Sequence, residues 1–234
     1  MKLLISTGEV SGDLQGSLLI KALKTNAEKR KIELEIIALG GERMREAGAK
    51  LISNTSSIGA IGFLEALPYV LPTLNSQSKI DNYLSSSPPD AVILIDYMGP
   101  NINIGRKLRR AKNNIPIYYY IAPQEWAWRV GNNSTTDLIN FSDKIFAIFK
   151  QEADFYKKRG GNVSWIGHPM MDLTKKLPTK AESRRLLNIK NNENLLLIMP
   201  ASRPQELRYI LPTYMKVAKK LQQKYPNLIV VIPS

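Results

Sequence analysis

Short apolar runs alternate with amphipathic stretches along most of the chain. Lys2–Ser6 is a short apolar run, which predicts a buried strand, and Asp13–Lys29 carries leucine and isoleucine at helical spacing, which predicts a helix. Both patterns recur, and their alternation predicts an α/β architecture, a parallel sheet with helices on both faces. Further strands are predicted at Glu33–Leu39, Ala91–Asp96, Ile115–Ile121 and Lys144–Phe149, and helices at Glu42–Ala47, Asn103–Lys112 and Gln151–Arg159.

The pattern is interrupted by a polar stretch that contains a glycine and two prolines. We predict a first domain over residues 1–166, a linker over 167–179 and the beginning of a second α/β domain over 180–234. Two parallel strands cannot bury both faces of a sheet, so the sequence is expected to be part of a longer protein. The second domain is predicted to contain helix Ala181–Leu187, strand Leu195–Met199, helix Gln205–Gln223 and strand Leu228–Ile232.

Composition narrows the chemistry that this chain can perform. Cysteine is absent, which excludes disulfides, thiolate nucleophiles and cysteine-based metal sites. A single histidine argues against a histidine-rich metal site, so we expect no metal. No apolar run reaches the roughly 18 residues of a membrane span, and the N-terminal residues turn polar too soon for a signal peptide. A cytoplasmic location fits these features.

The net charge of +13 favours an anionic partner, for which nucleic acid, an acidic membrane surface and phosphorylated substrates all qualify. The basic residues are spread along the chain. The densest runs, Arg106–Lys112 and Lys157–Arg159, are predicted on solvated helix faces. A lysine-rich composition by itself accounts for most of the excess charge.

Large aromatic residues follow the predicted strand Ile115–Ile121. Trp126, Trp128 and Arg129 come after Pro123, which ends the strand. Open α/β sheets bind ligands at the carboxyl ends of their strands, so these side chains are candidates for a binding site. The alternative is that the two tryptophans pack a loop onto the core.

The segment Gly8–Gly16 separates the first strand from the first helix, where dinucleotide-binding proteins place a phosphate loop. Glu9 and Asp13 would repel a diphosphate there, and the segment lacks the lysine of a P-loop, so we reject a phosphate cradle. Ser11 is predicted to cap the helix. Alternatively, Glu9 and Ser11 hydrogen-bond sugar hydroxyls.

Two other segments end strands with polar groups. Asp96 ends a strand on the ligand side and is a candidate general base or a turn-capping residue, whereas Asp90 lies at the opposite end. Ser202 and Arg203 open a predicted helix, where a hydroxyl, a guanidinium and backbone N–H groups form a candidate phosphate site, or only a helix cap.

The segment Ile58–Leu74 is unusually apolar for a connection between elements. It is too short to span a bilayer. It could lie at a membrane surface or accept an acyl chain. The alternative is a buried helix that is kinked near Pro68 and Pro72.

Taken in order, these segments resemble the lipid-A-disaccharide synthase family. That family consists of inverting glycosyltransferases with the GT-B fold, which has two Rossmann-like domains. The resemblance runs along the whole chain and would make the second domain the UDP-sugar-binding one. It is carried by Gly8-Glu-Val-Ser-Gly-Asp13, Gly41-Glu-Arg-Met44, Gly62-Phe-Leu-Glu65, Pro89-Asp90, Ile95-Asp96, Pro123-Gln-Glu-Trp-Ala-Trp-Arg129, Ile166-Gly-His-Pro169, Pro200-Ala-Ser-Arg203 and Glu206.

The resemblance implies a hexosyltransferase of lipid A biosynthesis. It would join UDP-2,3-diacylglucosamine to 2,3-diacylglucosamine 1-phosphate, releasing UDP and forming a β-1,6-linked disaccharide. The partners implied are these two substrates and the anionic inner-membrane surface, with no nucleic acid. The protein would lie peripherally on the cytoplasmic face of that membrane and would need no metal or other cofactor.

The resemblance also assigns roles to residues. Asp96 would deprotonate the 6-hydroxyl of the acceptor, and Arg203 would stabilise the departing diphosphate. For His168, the alternative is a linker residue that packs between the domains. The substrate-binding residues implied are Glu9, Ser11, Gly12, Glu65, Trp126, Arg129, His168, Ser202 and Glu206.

The chain departs from the family pattern in three ways. Gly99 stands where the family has a second acid after the aspartate, so any proton-handling role of that acid is lost. Ala201 replaces a glycine of the anion loop. Family members also continue well past residue 234, so residues 1–234 are not expected to be active alone.

Two other functions compete with this interpretation. One is another GT-B enzyme that uses a UDP-sugar, such as the peptidoglycan N-acetylglucosaminyltransferase or a UDP-sugar epimerase, but these lack the paired Trp-Ala-Trp-Arg arrangement. The other is a non-catalytic basic module that binds nucleic acid or a membrane surface, with strong dependence on salt. Against it, the aromatic residues lie at predicted strand ends and not among the basic runs.

Overall fold

The computed structural model describes most of the chain and divides it into two compact units, Met1–Met171 and Asp172–Ser234. For residues 70–74, 98, 133 and 204–206 it describes the backbone only. No helix in the described part is long and apolar enough to cross a membrane. The described residues are 1–55, 70–96, 98–111, 114–125, 133–175, 177–199 and 204–233.

The first unit is built on a seven-stranded sheet in which every paired strand is parallel. The strands are β1 (Lys2–Ser6), β2 (Glu35–Gly40), β3 (Lys50–Asn54), β4 (Ala91–Ile95), β5 (Ile117–Tyr120), β6 (Lys144–Ala147) and β7 (Val163–Trp165). Their order in the sheet is β3-β2-β1-β4-β5-β6-β7, so β2 and β3 lie on one side of β1 and β4 to β7 lie on the other.

Helices connect these strands, as crossover connections between parallel strands require. They are α1 (Val10–Lys29), α2 (Glu42–Glu46), α3 (Val70–Ser86), α4 (Met98–Arg110), α5 (Asn133–Phe141) and α6 (Lys150–Lys157). A short helix, α7 (Met170–Thr174), spans the boundary between the two units.

The central strands are apolar because both faces of the sheet are covered. Leu4 and Ile5 are neighbours on β1 and point to opposite faces, and each is completely buried. Two apolar clusters result. One contains Leu4, Leu94 and Tyr119, and the other contains Ile5, Ile20 and Ile95.

The second unit contains two paired parallel strands and two helices among its described residues. Large apolar side chains are exposed in it, among them Leu197, Met199 and Tyr209. The elements are α8 (Lys180–Leu186), β8 (Asn194–Leu197), α9 (Pro204–Lys224) and β9 (Leu228–Val231).

The structure confirms the predicted α/β alternation, but it contains two helices, α3 and α5, and two edge strands that were not predicted. β3 and β7 were not predicted, because β3 has apolar residues only at its second and third positions and β7 has only three residues. Both strands lie at an edge, where burial is incomplete and the apolar signal is weak. Within the predicted linker the structure places α7, and most of the apolar segment Ile58–Leu74 lies outside the described residues.

Candidate active site

The crevice of the first unit lies where the strand order reverses, between β1 and β4. These strands pair in parallel from Leu3 opposite Ala91 to Ser6 opposite Leu94, so their carboxyl ends lie side by side. The connections that follow them lead to opposite sides of the sheet. Glu9 follows β1 and Asp96 follows β4 directly, so both lie at the position where open α/β sheets bind ligands.

Asp96 is half-buried and has an unusual backbone conformation, with φ of 46°. Its N–H donates to the carbonyl of Ile121 at 3.0 Å. Its carbonyl accepts from Tyr119 Oη at 2.7 Å and from Asn101 Nδ2 at 3.0 Å. Ile121, at the end of β5, also has a positive φ, of 58°. Left-handed backbone at a non-glycine residue is costly, so these contacts hold Asp96 in one orientation.

Asn101 was not predicted as a site residue, although it lies only five residues after Asp96. It is completely buried in the first turns of α4. Its Oδ1 accepts from Ser6 Oγ at 2.7 Å, and its Nδ2 donates to the Ile95 carbonyl at 3.1 Å as well as to that of Asp96. The amide therefore ties the ends of β1 and β4 together at the crevice.

The connection after β1 is fixed by a close contact between Thr7 and Gly12. A Cβ atom on Gly12 would lie 1.8 Å from Thr7 Oγ1 and 2.9 Å from Thr7 Cβ. Thr7 is itself buried, and its carbonyl accepts from Thr55 Oγ1 at 2.5 Å. Packing thus explains the glycine at position 12, and its predicted contact with substrate stays a prediction.

Ser11 is not the N-cap that the sequence predicted. α1 begins at Val10, and Glu9 occupies the N-cap position without a side-chain capping bond. Ser11 lies in the first turn and is exposed. Glu9 is half-buried beside the crevice. Neither placement tests the predicted contacts of these two residues with sugar hydroxyls.

Asp13 has a structural role that reaches beyond its own helix. Its carboxylate is buried and accepts hydrogen bonds from the backbone N–H groups of Gly41 at 2.8 Å, Met44 at 3.1 Å and Arg43 at 3.2 Å. These groups form the N-terminus of α2, which favours a negative charge. Asp13 therefore joins α1 to α2.

Buried acids and tyrosines from β5, the turn that follows it and α6 lie near Asp96. The pKa of Glu152 is raised to about 7, mainly by burial and also by the charge of Asp96, while backbone hydrogen bonds from Phe149, Ile148 and Ala122 oppose the rise. Burial also raises the pKa of Tyr119 and Tyr156, as do the charges of Asp96 and Glu125. These two phenols thus stay protonated at neutral pH.

His168 lies near the carboxyl end of β6. Its ring centroid is 5.5 Å from that of Phe149, which follows β6. Its Nδ1 accepts from the Met170 N–H at 3.2 Å, which leaves the Nε2 atom to carry the proton of the neutral ring. The interpretation of His168 as a residue that packs between domains is not tested.

A model of the lipid-A-disaccharide synthetase family matches residues 3–234. The chain belongs to this family. The resemblance carried by the sequence motifs is thereby confirmed.

Two curated relatives in this family are called lipid-A-disaccharide synthase. The one from Prochlorococcus marinus (strain MIT 9313) is 56% identical over 234 residues, which are 100% of this chain and 60% of the relative. The one from Synechocystis sp. is 46% identical over 234 residues, 100% of this chain and 59% of the relative. The chain thus spans about 60% of the length of these relatives.

Solved structures show that this lipid-A-disaccharide synthetase family member has the predicted GT-B type of fold. The UDP-GlcNAc 2-epimerase of Neisseria meningitidis matches with a TM-score of 0.63 at 15% identity, covering 100% of this chain and 66% of that one. Sucrose-phosphate synthase from Thermosynechococcus elongatus matches with a TM-score of 0.62 at 12% identity, covering 100% and 71%. Sequence identities this low are evidence for a shared fold alone.

Several predicted site residues of this family member lie outside the described residues. Glu206 is in the first turn of α9, where the backbone alone is described, and Ser202 and Arg203 immediately precede that helix. In the described part of the chain, no group of three or more histidine, aspartate or glutamate side chains is arranged to hold a metal ion. The predicted residues outside the description are Glu65, Trp126, Arg129, Ser202 and Arg203.

Proposed function

We propose that this protein forms the lipid A disaccharide by joining UDP-2,3-diacylglucosamine to 2,3-diacylglucosamine 1-phosphate. The family match over residues 3–234 and the names of the curated relatives support this reaction. The observation that carries the proposal is the geometry of Asp96. Its backbone is fixed by Asn101 and Tyr119 at the reversal of strand order, where a ligand would bind.

In the proposed reaction, Asp96 is the general base. The 6-hydroxyl oxygen of the acceptor attacks the anomeric carbon of the donor while its proton passes to the Asp96 carboxylate. The bond between the anomeric carbon and the diphosphate oxygen breaks, and UDP leaves with the bonding electrons. Arg203 stabilises the negative charge that develops on the diphosphate.

Substitution of these two residues tests the proposal. In the protein expressed from its own gene, Asp96→Asn and Arg203→Ala should each lower kcat for disaccharide formation by about 10²-fold or more, because each removes a group that acts in the transition state. Disaccharide formation and UDP release would be measured together with the thermal unfolding of each variant.

The matched control is Asp90→Asn at the other end of the same strand. Asp90 Oδ2 accepts the Lys2 N–H at 2.6 Å, a bond that asparagine can preserve. This variant should keep kcat within about threefold of wild type, since residue 90 lies at the amino end of β4, away from the crevice at the carboxyl ends of the strands. If Asp96→Asn retained similar activity, the proposed role of Asp96 would be wrong.

The proposal includes a location, peripheral on the cytoplasmic face of the inner membrane. Acylated substrates reside in a membrane, and the net charge of +13 is compatible with binding to an anionic lipid surface.

A further inference from the structure

The carboxyl group of Glu152 connects two strand ends beside Asp96. Glu152 is completely buried at the third position of α6. Its Oε2 accepts the N–H groups of Ile148 at 3.0 Å and Phe149 at 3.2 Å, which follow β6. The backbone of Ala122, which follows β5, also donates to it. One side chain therefore fixes both turns that flank the crevice beyond β4.

The charge of Glu152 is sensitive to pH near neutrality. Burial disfavours its ionised form, and the negative charge of Asp96 disfavours it further, so its pKa lies at about 7. The repulsion is mutual, because the interaction energy between two charges belongs to the pair. An ionised Glu152 therefore also disfavours the negative charge on Asp96.

The other titratable groups around Glu152 come from β5, the turn that follows it and α6. Tyr119 Oη donates to the carbonyl of Asp96, and Tyr156 Oη donates to that of Pro123 at 2.8 Å, so both phenols are held as neutral donors. Glu125 is buried in the turn after β5, and its charge acts on both phenols. Arg159, which follows α6, acts on the pKa of Tyr156 in the opposite sense.

We propose that Glu152 is a positioning residue for Asp96. Ionised Glu152 holds the ends of β5 and β6 and favours transfer of the acceptor's hydroxyl proton to the Asp96 carboxylate. This inference rests on the proposed function. It assigns a second carboxyl to the site, at a sequence position far from Gly99, where the family pattern has its second acid.

The proposed effect follows from charge balance in the transition state. As the proton moves from the hydroxyl oxygen to Asp96, the aspartate loses its negative charge. Repulsion between Asp96 and ionised Glu152 disappears at that moment, so the ionised form of Glu152 lowers the barrier. Glu152 keeps its own charge throughout and exchanges no proton with the substrate.

The first experiment measures the coupling of the two carboxyls without catalysis. Glutamate labelled with ¹³C at the side-chain carboxyl would be titrated by NMR, with the Glu152 signal assigned by its absence in Glu152→Gln. The pKa of Glu152 is expected near 7 in the wild type and lower in Asp96→Asn, since that variant removes a neighbouring negative charge. An unchanged pKa in Asp96→Asn would overturn the proposal.

The second experiment measures kcat for disaccharide formation against pH in the protein expressed from its own gene. The wild type should gain activity as pH rises through about 7, and Glu152→Gln should lack this step. At pH 8 the kcat of Glu152→Gln should be roughly tenfold lower than that of the wild type. This change corresponds to the loss of an interaction with Asp96 worth about one pKa unit. Glutamine retains an acceptor for the backbone N–H groups, and thermal unfolding checks that the variant is folded.

Glu182→Gln is the matched control. Glu182 is also the third residue of its helix, α8, and its Oε2 accepts the Thr179 N–H at 2.7 Å, but it is exposed and belongs to the second unit. Its pH profile should match that of the wild type. Coincident profiles for Glu152→Gln and the wild type would refute the proposal.

The two experiments separate this inference from the proposed function. If the wild type forms no disaccharide, the proposed function fails, and with it the effect of Glu152 on proton transfer to Asp96. The NMR titration would still show whether Asp96 and Glu152 interact. If the wild type is active and the titration shows no interaction, only the inference about Glu152 is wrong.

Discussion

Single residues at the crevice occupy conformations and protonation states that their surroundings impose. Asp96 and Ile121 have positive φ on neighbouring strand ends, at a cost of about 1–3 kcal/mol each. The position of Asp96 could be predicted, because it follows an apolar run directly. Its supporting residues could not, because Tyr119 is 23 positions away in the sequence and Asn101 gives no signal that distinguishes it from a helix-capping residue.

Glu152 should make stability depend on pH in a defined direction. Its pKa rises from 4.5 to about 7 on folding, so the folded state binds its proton more tightly than the unfolded state does. Its contribution to stability is present below pH 4.5 and is lost as pH rises through about 7. Relative to the wild type, Glu152→Gln should therefore gain about 3 kcal/mol in unfolding free energy between pH 4 and pH 8.

Urea unfolding of the wild type and Glu152→Gln at several pH values would measure this difference. Glu182→Gln serves as the control of opposite sign, because hydrogen bonds from Thr179 lower the pKa of Glu182. A stability difference for Glu152→Gln that stays constant from pH 4 to pH 8 would contradict the prediction.

At the scale of elements, the connection between β1 and α1 is fixed by the contact of Thr7 with Gly12. The sequence predicts that no phosphate loop lies here, because of the acids within Gly8–Gly16, and this stays a prediction. It does not reveal that Asp13 caps α2, since the N–H groups of Gly41, Arg43 and Met44 come close to Asp13 only after β2 has paired with β1.

Gly12→Ala should destabilise the first unit by about 3 kcal/mol, at the upper end of the cost of overpacking. The new Cβ would lie 1.8 Å from Thr7 Oγ1 and 2.9 Å from Thr7 Cβ, and the buried Thr7 has little room to move. Chemical unfolding would measure the loss.

Gly99→Ala is the matched control for Gly12→Ala. Both glycines lie in helices, where alanine has the higher propensity, but a Cβ on Gly99 meets nothing within 4 Å. This control should be neutral or stabilising by up to about 1 kcal/mol. Equal effects of the two substitutions would show that contact with Thr7 is not what fixes position 12.

For the whole molecule, net charge is the property that should govern binding to surfaces. The chain has 33 basic and 20 acidic residues, so even complete pairing would leave an excess of 13 positive charges. Salt bridges such as Arg106 with Asp137 and Arg109 with Asp143 neutralise part of the basic run on α4. The remaining positive charge is spread over the protein surface, so attraction to an anionic partner would come from the whole surface and not from one basic run.

The protein should bind vesicles that contain anionic phospholipid and release them as salt is raised from 0.1 M to 1 M, since screening shortens the range of charge interactions from about 10 Å to about 3 Å. Vesicles of zwitterionic lipid are the control, and sedimentation measures binding. Equal binding to both kinds of vesicle would show that net charge does not govern membrane binding. Tighter binding to nucleic acid than to anionic vesicles would favour the alternative of a basic nucleic-acid-binding module.

The sequence by itself determined the α/β class, the five strands β1, β2, β4, β5 and β6, and the positions of Glu9 and Asp96 at strand ends. These features follow from local periodicity and from burial on both faces of a sheet, which leave a direct record in the chain. Tertiary structure alone decided the edge strands, the contact of Thr7 with Gly12, and the buried partners Asn101, Tyr119 and Glu152. Those depend on which strand ends meet in space, and sequence spacing carries no record of it.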